Sequence, residues 1–185
     1  MRLGVSLAVV LVLAMAGCSS PFGEEEVDLT EVRAFDEYPL YWVGERFEEW
    51  DLSYAEIRPE FTTFSYGDCE VTGDDGGCPP PLQIQIAPLC RHLDVVAHAP
   101  IWRRRSIRDA PVGTIDSAPV LFTTGAQVKV YRGQGSDPGL ARRALEALQS
   151  INKVEPVIGP TGPIPGADPA VLAGERSCAA ASATR

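Results

Sequence analysis

The chain has 185 residues, of which 45% are hydrophobic and 8% aromatic, and a formal net charge of −9 at pH 7. That length supplies one domain with tails, and the apolar content excludes a chain disordered throughout. The acidic balance argues against nucleic acid as a partner. Residues 24–75 hold 17 acidic and 3 basic side chains, while residues 76–185 hold 8 and 12, an asymmetry that either marks an interaction surface or neutralises itself within one fold.

Residues 1–17 read as a signal peptide. Arg2 gives a positive start, and Leu3 to Ala16 is an apolar run broken only by Gly4 and Ser6. The run is shorter than the roughly 20 residues that span a bilayer, and it has the length of a signal-peptide core. It ends in Met15-Ala16-Gly17-Cys18, which resembles the lipobox of bacterial lipoproteins, with methionine where leucine is usual. The resemblance implies cleavage before Cys18, a diacylglyceryl thioether carrying fatty acyl chains such as palmitate, and a place on the extracytoplasmic face of the cell membrane. Two acyl chains, each buried methylene contributing ~0.8 kcal/mol, anchor a protein stably.

Residues 18–37 read as an acidic flexible tether. Ser19-Ser20-Pro21-Phe22-Gly23 is followed by Glu24-Glu25-Glu26, and a coil of this length spans roughly 25 Å. A single domain is expected over residues 38–155. Its strands begin with the aromatic-rich Tyr38 to Val43 and continue with Leu52 to Arg58 and Phe61 to Tyr66. Leu82-Gln83-Ile84-Gln85-Ile86 is the cleanest alternation and turns both glutamines toward water or a partner. Gly67 to Pro81, rich in Gly, Asp and Pro, reads as the loop of a hairpin. Pro88 to Pro100 suggests one helical turn followed by loop. Pro119 to Thr123 and Gln127 to Tyr131 form a second hairpin around Thr124-Gly125. Asp137 as cap and Pro138 at the first position predict a helix whose apolar stripe runs from Leu140 to Ile151, ended by Asn152. The Pro/Gly-rich residues 156–185 read as a tail extended along the surface and returning to the domain through Cys178. The fold class expected is α+β: a mainly antiparallel sheet with one C-terminal amphipathic helix packed on a face, disulfide-stapled.

With Cys18 lipidated, Cys69, Cys78, Cys90 and Cys178 remain, and four cysteines allow three pairings. Cys69 and Cys78 leave and re-enter one hairpin, which favours their pairing and leaves Cys90 to Cys178. Neither a Cys-x-x-Cys motif nor zinc-finger spacing is present.

No catalytic constellation stands out, and no cofactor or metal is expected. Asp68, Glu70, Asp74 and Asp75 crowd one loop without the EF-hand spacing, so turn formation explains them. Gly133-Gln134-Gly135-Ser136-Asp137 is a capping turn, since Pro138 stands where a nucleotide loop needs its third glycine. His92 and His98, the two histidines, lack any nucleophile elbow or metalloprotease helix. Tyr38, Tyr41, Trp42, Phe47, Trp50 and Tyr54 suit a sugar or peptide platform, but aromatics on strands more often face a core. Arg103, Arg105 and Arg108 are possible anion contacts, because a guanidinium fork binds phosphate or carboxylate bidentately. They serve equally to neutralise the acidic half.

Tyr38-Pro39-Leu40-Tyr41-Trp42-Val43-Gly44, Tyr66-Gly67-Asp68-Cys69, Gly76-Gly77-Cys78-Pro79-Pro80-Pro81-Leu82 and Cys178 together look like a set of bacterial lipoproteins without an assigned activity. The resemblance implies localisation alone. The reading is a lipid-anchored cell-envelope interaction module that meets an anionic envelope component or protein. A small extracytoplasmic hydrolase of the envelope is the alternative.

Overall fold

The computed structural model describes residues 27–68, 79–91 and 105–177. Alternating and β-branched segments build one antiparallel sheet of eight strands. In chain order these are β2 (Arg46–Phe47), β3 (Trp50–Ile57), β4 (Thr62–Tyr66), β5 (Leu82–Pro88), β6 (Ser106–Ile107), β7 (Ala110–Ile115), β8 (Ala118–Phe122) and β9 (Ala126–Arg132). Their spatial order is β2-β3-β4-β5-β9-β8-β7-β6. Two meanders therefore meet where β9 runs beside β5, with Ile84 opposite Val130 and Ile86 opposite Val128. A separate two-stranded ribbon joins β1 (Tyr41–Trp42) to β10 (Gln149–Ser150). Helices are few and short: α1 (Thr30–Ala34), α2 (Leu140–Glu146) and α3 (Pro169–Leu172).

The period of two along each strand decides what is buried. Phe64 and Tyr66 on β4, Leu82, Ile84 and Ile86 on β5, Val128 and Val130 on β9 and Leu121 on β8 all enter the main core. Leu140, Ala141, Ala144 and Leu145 of α2 join them there, as do Leu29 at the start of α1, Val32 within it and the β1 residues Tyr41 and Trp42. The sheet thus closes one face against helices and ribbon. On β8 the neighbours Val120 and Phe122 point the other way. They form a smaller cluster with Leu89, Ala167, Val171 and Leu172. The C-terminal segment accordingly covers the β8 end of the second face.

Several expectations change. Order begins before Tyr38: residues 27–37, expected as tether, carry α1 and send Leu29 and Val32 into the core. Two buried apolar side chains are enough to draw a short amphipathic turn onto the sheet edge. The helix expected from Asp137 to Ile151 is only α2, with Gly139 at its N-cap. Asp137 caps a turn instead, its Oδ1 accepting from the Gly139 amide at 3.1 Å. Asn152 does not end that helix. Its amide is buried, accepting from Leu40 N at 2.9 Å and donating to the carbonyls of Phe35 at 3.0 Å and Tyr38 at 2.8 Å. The segment after Pro156 is not merely superficial, since Ile158, Ile164, Val171 and Leu172 are buried.

Candidate binding face

The face of β3, β4, β5 and β9 turned away from the main core carries hydrogen-bonding side chains. Register places Tyr54, Ser65, Gln83 and Tyr131 side by side across the four strands. Glu56, Thr63, Gln85 and Lys129 form the next row, two residues along each strand. Interstrand spacing makes each row about 14 Å wide, and the rows lie about 7 Å apart. The sequence signal for this face was the Leu-Gln-Ile-Gln-Ile alternation, which β5 reproduces with Gln83 and Gln85 half-buried opposite the core-facing leucine and isoleucines.

Within the two rows the groups are loosely tied to one another. Tyr131 Oη donates to Gln85 Oε1 at 3.4 Å, and Gln83 Nε2 reaches Ser65 Oγ at 3.5 Å. These are long contacts that a better partner displaces readily. Small Thr63 and Ser65 form the floor at 5% and 6% exposure, whereas Tyr54 stands out at 47%. Lys129 Nζ bonds Asp116 Oδ2 at 2.9 Å and sits 4.9 Å from the Tyr131 ring centroid. Partial burial pulls the Lys129 pKa down, but the contacts with Tyr131 and Asp116 outweigh it, leaving the ammonium above its ordinary value. Glu56 is held by Arg58 at 2.6 Å, and that bond keeps its carboxyl below the usual range. Both charged members of the face are therefore ionised at neutral pH and already neutralised. Next along β9, Gln127 is half-buried, and its Oε1 has no hydrogen-bond partner among the described residues.

The arginines reach different ends. Arg103 lies outside the described residues, and Arg105 is exposed. Arg108 turns inward: Nε donates to Gly162 O at 2.6 Å, Nη1 to Leu148 O at 2.6 Å and Glu146 O at 3.3 Å, and Nη2 to Gly159 O at 2.7 Å. A guanidinium has five donors, so Arg108 is largely spent on tying the end of α2 to the segment after Pro156. Among the described residues, the ion pairs of the acidic half come from elsewhere. Arg33–Glu45, Arg46–Asp51 and Arg58–Glu56 are local to it, and Arg143 grips Glu48 across the molecule at 2.6 Å.

Of the aromatics, Tyr38, Tyr41 and Trp42 are buried, Phe47 and Trp50 pack against the core, and Tyr54 alone of the six is exposed. An open depression of about 430 Å³ between α1 and β3 is lined by Glu31, Ala34, Phe35 and Ile57. It gathers a single carboxylate and no convergent polar set. Among the described residues no three His, Cys, Asp or Glu side chains come together as a metal site. His92, His98, Glu70, Asp74 and Asp75 lie outside the described residues, as do residues 1–26 with Cys18. Cys90 is disulfide-bonded, while Cys69, Cys78 and Cys178 are outside the described residues. No described helix is long and apolar enough to cross a membrane.

No family model, curated protein or solved structure matches this chain.

Proposed function

We propose that this protein is a lipid-anchored interaction module of the bacterial cell envelope, held through Cys18 and binding its partner on the two-row face of β3, β4, β5 and β9. The observation that carries the reading is that face itself. Across β3, β4, β5 and β9 the second side carries Ser, Thr, Gln, Tyr and an ion-paired Lys, groups that stay off a core because burial would cost free energy and that can donate to and accept from a partner. The anchor rests on Met15-Ala16-Gly17-Cys18 and its apolar run. In this reading the disulfides are staples: Cys69–Cys78 closes the β4–β5 loop and Cys90–Cys178 ties the tail to the domain. Helix α2 is what remains of the amphipathic C-terminal helix, packed on the closed face.

Site-specific photo-crosslinking in intact cells tests the reading. A benzophenone amino acid at Tyr54, on the open face, is expected to trap an envelope component. The same probe at exposed Lys153 is expected to trap none. Equal labelling from both positions, or none from Tyr54, contradicts the assignment of the face.

A further inference from the structure

We infer that the ligand of this face is a neutral, β-1,4-linked polysaccharide strand. The inference rests on the module reading above and adds to it the chemical class of the partner.

Three properties of the face select that class. The first is charge: Lys129 is paired with Asp116 and Glu56 with Arg58, so the rows present neutral donors and acceptors. A polyanion gains little from these two rows, because their one cation, Lys129, is already paired. A polyol, by contrast, matches amides and hydroxyls that each donate and accept. The second is shape. A β-1,4-linked chain is a flat ribbon with hydroxyls along both edges and C–H groups on its faces. The face it would meet is a sheet floored by the small side chains of Thr63 and Ser65. The third is the placing of the aromatic rings. Tyr54 and Tyr131 bound one row at opposite ends, with Ser65 and Gln83 between them. That separation of about 14 Å lets a short run of sugars lie over the amides with pyranose C–H groups against the exposed Tyr54 ring.

Gln127 adds an independent sign. Its Oε1 is an acceptor without a partner among the described residues on the same face of β9 as Lys129 and Tyr131. Native structures satisfy nearly all such atoms. Register sets Gln127 one row beyond Lys129, beside Ala87 and Phe122, where a sugar hydroxyl next to the second row would supply the missing donor. The peptide alternative fits less well. An added strand pairs through backbone at a sheet edge, whereas these groups stand on the face, across four paired strands.

The experiment is calorimetric titration of the full mature protein in detergent micelles with chitohexaose and with cellohexaose. Vesicles containing phosphatidylglycerol serve as the anionic comparison. At least one hexasaccharide is expected to bind, with an affinity nearly unchanged between low and high salt. Tyr54→Ala and Gln83→Ala should each weaken it about fivefold. Both positions are off the main core, and unchanged thermal unfolding verifies that the variants fold. Absence of binding by either hexasaccharide overturns the inference, as does binding that both variants retain in full. Salt-sensitive binding to the vesicles alone also overturns it. If the crosslink from Tyr54 forms while the sugars fail, the face is an interaction site for another class of partner.

Discussion

Asn152 is the residue on which the N-terminal end of the fold depends. At 3% exposure, its amide satisfies the Leu40 amide and the carbonyls of Phe35 and Tyr38. One side chain thereby fixes the passage from α1 into β1, more than a hundred positions away in sequence. Asn152→Ala leaves these buried groups without partners and should cost about 2–4 kcal/mol in urea unfolding. A loss below about 0.5 kcal/mol would show that water replaces the clamp at no cost. Tyr66 is a second buried polar anchor, donating to Gly44 O at 3.1 Å and accepting from Val43 N at 3.3 Å. Burial raises its pKa well above the ordinary 10.0. Because the folded pKa is the higher one, the contribution of neutral Tyr66 is complete below the unfolded value and falls as pH rises beyond it. Unfolding followed against pH should therefore show a decline starting near pH 10.0, shallower in Tyr66→Phe. An identical alkaline slope in the two proteins would remove Tyr66 from the titration.

Among the elements, those with a regular period were readable before the structure and those set by distant contacts were not. The β4–β5 hairpin and the β8–β9 hairpin follow their alternation, with Tyr66 opposite Leu82 and Leu121 opposite Val128. Strands β6 and β7 gave no such signal, because Ala110-Pro111-Val112-Gly113-Thr114 combines a proline and a glycine with little apolar alternation. Their turns are equally disguised. Arg108-Asp109 and Asp116-Ser117 all adopt positive φ, from 49° to 71°, without a glycine among them. Hairpin turns of that hand ordinarily carry Asn-Gly or Asp-Gly. Ser117→Gly should accordingly stabilise the protein by about 0.5–1 kcal/mol, measured as a higher unfolding midpoint. A lower midpoint would mean that the serine side chain contributes more than its backbone strain costs. The Asp-Pro start signal was correct chemistry read at the wrong place. It operates at Asp168-Pro169, where Asp168 Oδ1 accepts from the Ala170 amide at 2.8 Å and opens α3. At Asp137-Pro138 the following Gly139 delays the helix to Leu140. Only the β5 members of the candidate face were legible in the same way. Gln83 and Gln85 declared themselves by period, but Tyr54, Ser65, Lys129 and Tyr131 join them only through register, which composition does not encode.

At the scale of the molecule, the two faces of the sheet have different tasks. One is closed by α1, α2 and the β1–β10 ribbon, and among the described residues the other is covered at its β8 end by the C-terminal segment. Three ion pairs are local to the acidic half and leave its excess charge unchanged, while among the described residues Arg143–Glu48 bridges the two halves. The described residues begin at Val27, so in the proposed reading residues 18–26 link the domain to the anchor. Everything in the functional account depends on that attachment, and mass spectrometry of the N-terminal peptide from the membrane fraction tests it directly. The account predicts a peptide that begins at Cys18 and carries the mass of a diacylglyceryl group, with Cys18→Ser releasing the protein from the membrane. An unmodified chain cleaved elsewhere and recovered from the medium would contradict it.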